Sequence, residues 1–114
     1  MDLTINNLVN QSHAIATEKG WWIDSNRNIG ELIALIHSEA SEALEIYRIK
    51  GRDGLKDNWL SENGKPEGFT IELADIIIRI ADLCGEFGLN LEDALNTKME
   101  FNKSRPYRHG DKKA

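Results

Sequence analysis

Four carboxylates stand in two pairs of equal spacing, Glu39 with Glu42 and, after 29 intervening residues, Glu72 with Asp75. Residues three apart on a helix project from nearly the same side, so each pair presents its two acids together. Two such pairs on adjacent helices make a facing set of oxygen ligands. Oxygen donors without histidine or thiolate suit Mg²⁺ or Mn²⁺ rather than zinc or copper. A di-iron carboxylate bundle would require Glu-x-x-His on two helices, and His13, His37 and His109 form no such pair. An EF-hand also fails. Asp24, Asn26 and Asn28 alternate correctly, but Ile29 stands at the glycine position and Leu35 at the twelfth.

The acids are conspicuous because of where helical periodicity puts them. Leu32, Leu35, Ile36, Ala43, Ile46 and Tyr47 form one apolar stripe, with Glu39 in its middle and Glu42 on its edge. A carboxylate on an inner face costs several kcal/mol unless it is protonated, paired or bound to a cation. The segment around the second pair is apolar almost all round, except for Glu72, Asp75, Arg79, Asp82 and Glu86 at spacings of three and four. That stripe has two readings: a solvent edge with Asp75 and Arg79 as a surface pair, or the second wall of a site. Further on, Lys98 interrupts the stripe Leu91, Ala94, Leu95 and Phe101, with Asn102 beside it, Arg105 continuing the face, and Arg108 and His109 following. A lysine there needs an anion, supplied either by the carboxylates or by a phosphate chain. Trp21 and Trp22 can stack on a base or pack a helix connection. His37 falls off the apolar stripe, His13 has no partner at ligand spacing, and Cys84, the one cysteine, reads as a buried, inert thiol.

The elements that position these groups are helices. The spacing predicts four, over about Leu3 to Lys19, Ile29 to Lys50, Phe69 to Phe87 and Leu91 to Lys103, with Gly20, Gly51 and Gly88 as stops and Asn90 as an N-cap. No stretch shows the sustained alternation of a half-buried strand. Gly51 to Gly68 reads as a loop containing Trp59, long enough to expect a function or mobility. The expectation is an all-α four-helix bundle in a single domain over residues 1–114, with a basic tail from about residue 106. Residues 1–97 carry 8 Lys/Arg against 17 Asp/Glu, whereas residues 98–114 carry 6 against 2. An acidic body with a short basic end makes no extended phosphate-binding surface, which excludes a nucleic acid polymer as the expected partner. No apolar run is long enough for a membrane span, and Met1-Asp2-Leu3-Thr4 lacks the charged start of a secretion signal, so a soluble, cytoplasmic protein is expected.

Glu39-Ala40-Ser41-Glu42 followed by Glu72-Leu73-Ala74-Asp75 resembles the ExxE…ExxD signature of the MazG-like all-α nucleoside triphosphate pyrophosphohydrolases. Gly30 to Ser38 before the first pair, and Lys98, Asn102 and Arg105 after the second, extend the resemblance over roughly residues 13–110. The interval between the pairs is long for that family, which makes Gly51 to Gly68 a variable region. The resemblance implies a bundle completed by dimerisation, as a homodimer or dimer of dimers. It implies Mg²⁺, replaceable by Mn²⁺, held by Glu39, Glu42, Glu72 and Asp75, and cleavage of a nucleoside triphosphate between the α and β phosphates. One carboxylate would orient or deprotonate the water. Lys98 and Arg105 would bind β and γ oxygens, Asn102 would add a neutral hydrogen bond, and Trp21 and Trp22 are the candidate base contacts. A phosphoribosyl-ATP pyrophosphatase, and a catalytically silent helical dimer acting as a binding module, are the competing expectations.

Overall fold

Three helices begin where a short polar side chain turns back onto the backbone. Thr4 accepts from the amide of Asn7 at 3.1 Å, Asn28 from that of Glu31 at 3.2 Å, and Asn90 from that of Asp93 at 3.0 Å. Each bond satisfies an amide that the first helical turn leaves without a partner. The computed structural model describes residues 3–24 and 26–107. The helices are α1 (Ile5–Glu18), α2 (Ile29–Lys50), α3 (Phe69–Phe87) and α4 (Leu91–Ser104). The α2 and α3 bounds coincide with those predicted, and α2 and α3 end at Gly51 and Gly88.

The expected loop between α2 and α3 is structured. A single 3₁₀ turn, Arg52–Gly54, leads into an antiparallel hairpin of β1 (Asn58–Leu60) and β2 (Pro66–Gly68), paired Asn58 with Gly68, Trp59 with Glu67 and Leu60 with Pro66. The fold is therefore mostly helical with a small two-stranded sheet, and not purely α. Strands this short carry no legible alternation. Trp59 fixes the hairpin, because its indole N–H donates to Glu67 at 3.0 Å and the Lys50 ammonium lies 4.4 Å from its ring centroid. Gly68 joins it to α3 with φ at 145°, where a Cβ would lie 2.6 Å from the Asp57 carbonyl oxygen. Only glycine fits that approach.

Helix α3 is central and packs against both α1 and α2, while α4 packs against α1. The contact of α1 with α3 is close: a Cβ on Gly85 would stand 2.5 Å from the Cβ of His13. Leu32, Ala43, Ala81 and Cys84 are the buried apolar residues among those described, and no large side chain is fully buried. Ile33, Leu44, Leu73, Ile77, Met99 and Phe101 are exposed. Burial raises the Cys84 thiol above its ordinary range, consistent with an unreactive role. The inner stripe expected on α4 is not buried: no residue of α4 is, and Leu95, Lys98 and Phe101 all face outward. A helix that packs mainly on α1 has little second surface against which to bury that stripe. The tail expected from residue 106, including Arg108 and His109, lies almost wholly outside the described residues. No described helix is long and apolar enough to cross a membrane.

Candidate metal centre and its cavity

The polar stripe of α3 turns inward, not to solvent, and it divides between two neighbours. Its first part meets α2. Glu39 and Glu72 are buried and Asp75 is half-buried, and the three offer carboxylate oxygens within 4.8 Å of one another. Glu42 is exposed and outside this set, although its carboxylate lies close enough to Glu72 to influence its titration. Three of the four expected ligands are thus brought together, with the fourth at the rim.

Arg79 does not form the surface pair with Asp75 that one of the two readings of the stripe allows. Its Nε donates instead to Glu39 Oε1 at 2.9 Å, across the α2 to α3 interface. Burial favours the neutral form of Glu39, but the Arg79 guanidinium, with contributions from Glu72 and Glu42, outweighs it and holds the carboxyl below its ordinary range. Glu72 has no such cation among the described residues. Burial first, then the Glu42 and Glu39 carboxylates and the charge of Asp75, push it up to about 7. Asp75 is raised by burial and by Glu39, partly offset by Arg79 and by Lys65 of the hairpin.

The donor set fits a small hard cation. Glu72 is 8% exposed, and its Oε2 is a buried oxygen with no hydrogen-bond partner. Buried polar atoms are normally satisfied, so an orphan among carboxylates marks a place for a positive group. Oxygens about 2.1 Å from one Mg²⁺ lie about 3.0 Å apart when adjacent and about 4.2 Å apart when opposite, so the three carboxylates would draw together around an ion. Mn²⁺ has the same preference for oxygen.

A cavity of about 510 Å³ opens beside Glu39, Asp75 and Arg79 and runs to Trp21, Trp22 and Arg27. Trp22 is half-buried, its ring edge-on to Phe87 with centroids 6.1 Å apart, and its Nε1 donates to Asp82 at 2.8 Å. Trp21 is 58% exposed at the cavity wall. Arg27 lies over both indoles, 5.9 Å from the ring centroid of Trp21 and 5.1 Å from that of Trp22. Both tryptophans named from the sequence therefore line the same space as the acids.

Lys98, Asn102 and Arg105 do not line it. Lys98 and Asn102 are exposed on α4, and the cations of Lys98 and Arg105 lie 4.9 and 5.5 Å from the Phe101 ring centroid. The helix that carries them packs on α1, while the acids lie between α2 and α3. The second part of the α3 stripe meets α1, where His13 has the partners its spacing did not reveal: Asp82 at 3.0 Å from Nδ1 and Glu86 at 3.4 Å from Nε2. His37 is exposed, as its position off the stripe implies.

No family model, curated protein or solved structure matches the chain.

Proposed function

We propose that the protein is a Mg²⁺-dependent nucleoside triphosphate pyrophosphohydrolase, releasing nucleoside monophosphate and pyrophosphate. The observation that carries this reading is the partnerless Glu72 oxygen, buried within a three-carboxylate set that opens onto an aromatic-ended cavity. It agrees with the ExxE…ExxD resemblance to the MazG-like family. Glu39, Glu72 and Asp75 would hold the ion. Mg²⁺, when bound, lowers the pKa of water and offsets charge on phosphoryl oxygens.

The remaining steps belong to this chain's side chains. Glu42, beside Glu72 but outside the three-oxygen set, is the carboxylate left to orient or deprotonate the attacking water. Arg79 is the cation at the junction of acids and cavity, so it replaces Lys98, Asn102 and Arg105 as the first phosphate contact. Trp21 and Trp22 would hold the base at the far end. A cytoplasmic location is part of the same proposal, because nucleoside triphosphates are made and used there.

A second copy of the chain belongs to the same reading. The described core contains no fully buried large side chain, while Ile33, Leu44, Leu73 and Ile77 remain exposed on α2 and α3. Apolar surface on that scale is stabilised by burial against another apolar face.

The test is pyrophosphate release from a panel of ribo- and deoxyribonucleoside triphosphates with Mg²⁺ or with EDTA, alongside thermal shift. Metal-dependent release and a shift with nucleotide plus Mg²⁺ are expected. Absence of both would overturn the proposal and leave the Arg79 to Glu39 bond as an internal ion pair of a silent binding module.

A further inference from the structure

Asp82 takes no part in the chemistry proposed above, yet it lines the same cavity, seven residues beyond Asp75 on the same helix. Positions 75, 79 and 82 share one face of α3, and seven residues span about 10 Å along its axis. That rise is comparable with the reach from the α-phosphate of a nucleotide to the edge of its base. Asp82 thus stands at the base end of the cavity while Asp75 stands at the metal end.

Its carboxylate is anchored on one oxygen. Trp22 Nε1 donates to Oδ1 at 2.8 Å, and His13 Nδ1 approaches the same oxygen at 3.0 Å. A carboxylate only accepts, so the histidine nitrogen is the donor. Two donors on Oδ1 restrain the carboxylate. Oδ2 accepts no hydrogen bond from the described residues. Asp82 therefore brings to the cavity wall a carboxylate held through one oxygen, with the other unshared among the described residues.

Building on the pyrophosphohydrolase reading, we infer that Asp82 is its specificity-determining residue and selects nucleotides whose base bears an exocyclic amino group. Cytosine and adenine present an N–H₂ donor where uracil and thymine present a carbonyl oxygen, and guanine carries its donor at N2. An amino group meets Oδ2 as a hydrogen bond. A carbonyl there sets two acceptors against each other, and a base lacking the amino group leaves Oδ2 desolvated and unpaired. The indole of Trp21 and the Arg27 guanidinium supply flat surfaces for a ring without selecting its edge.

The experiment compares kcat/KM with Mg²⁺ for dCTP against dUTP and for GTP against ITP, pairs that differ at the amino position. The amino member of the faster pair is expected to win by about 10- to 100-fold. Asp82→Asn can keep its amide oxygen on Trp22 and His13 while presenting N–H₂ to the cavity, so the ratio should fall to unity or invert. Should that variant lose its helical signal, Trp22→Phe retains a ring against Phe87 but releases one anchor of the carboxylate, and the ratio should fall partway. Calorimetry with dCMP and dUMP reads the same preference without hydrolysis. Equal use of both members, or an Asp82→Asn ratio equal to that of the wild type, overturns the inference while pyrophosphohydrolase activity stands. Preferential dCMP binding with no turnover of any triphosphate overturns the activity alone.

Discussion

Arg79 Nε donates to Glu39 Oε1 at 2.9 Å, joining the one guanidinium of α3 to a buried acid of α2. A cation is already present in the carboxylate set, but it serves a single carboxyl. Metal and guanidinium are therefore competitors for Glu39. Arg79→Ala should destabilise the metal-free protein by about 1–2 kcal/mol, because Glu39 is left uncompensated beside Glu72 and Asp75. The same variant should show a larger stabilisation by Mg²⁺ than the wild type. Thermal melts with EDTA and with Mg²⁺ measure both, and an unchanged Mg²⁺ increment would contradict the competition.

Glu72 predicts a dependence on pH. Its folded value, about 7, lies above its ordinary value of 4.5, so between those limits the folded state holds a proton that the unfolded chain releases. Stability of the metal-free protein contributed by this group is full below about pH 4.5 and is lost as pH rises through about 7. Glu39, lowered by Arg79, acts in the opposite sense at more acid pH. Glu72→Gln should remove the decline approaching neutrality, as seen by chemical denaturation in EDTA at a series of pH values. Mg²⁺ must displace the Glu72 proton, so binding near pH 6.5 should release protons, measurable as a dependence of calorimetric heat on buffer ionisation enthalpy.

Loss of a ligand should separate chemistry from folding. Glu39→Gln and Asp75→Asn are each expected to lower metal-dependent pyrophosphate release by on the order of 100-fold or more, since the charge that holds the metal is removed. Circular dichroism should retain the helical signal, because each replacement is nearly isosteric. Glu42→Gln should lower turnover with little loss of Mg²⁺ affinity, as its carboxylate stands outside the three-oxygen set. A variant in either group that turns nucleotides over normally would remove that residue from the site.

The helices were readable because their signals are local. Periodicity, the capping side chain of Asn90 and the glycine stops at Gly51 and Gly88 act within a few residues. Glu39 in an apolar stripe was equally legible, because an acid on an inner face conflicts with the pattern around it. What the order of residues could not show was partnership across the fold. His13 meets Asp82 at a separation of 69 residues, and Arg79 bonds to Glu39, 40 residues away, rather than to its own neighbour on α3. Strands of three residues are too short for alternation to register, so the hairpin read as loop. The stripe around Lys98 suggests an inner face, whereas α4 packs mainly on α1 among the described residues and buries no residue.

Exposed apolar residues supply the last prediction. Leu73 and Ile77 lie one turn apart on α3 and are 40% and 51% exposed; Ile33 and Leu44 of α2 are 40% and 47% exposed. A chain of 114 residues ordinarily buries large side chains completely, and none is completely buried among those described here. Covering these residues with a second copy would supply the missing interior, so the protein in solution should sediment at twice its monomer mass or more. Ile77→Glu places a charge in that contact without touching Glu39, Glu72 or Asp75. It should shift the equilibrium toward monomer and lower the melting temperature in a concentration-dependent manner, because assembly and folding are then linked by mass action. Sedimentation at several concentrations decides the matter: a wild-type monomer throughout would mean that these side chains meet water, and the proposed partner copy would be lost.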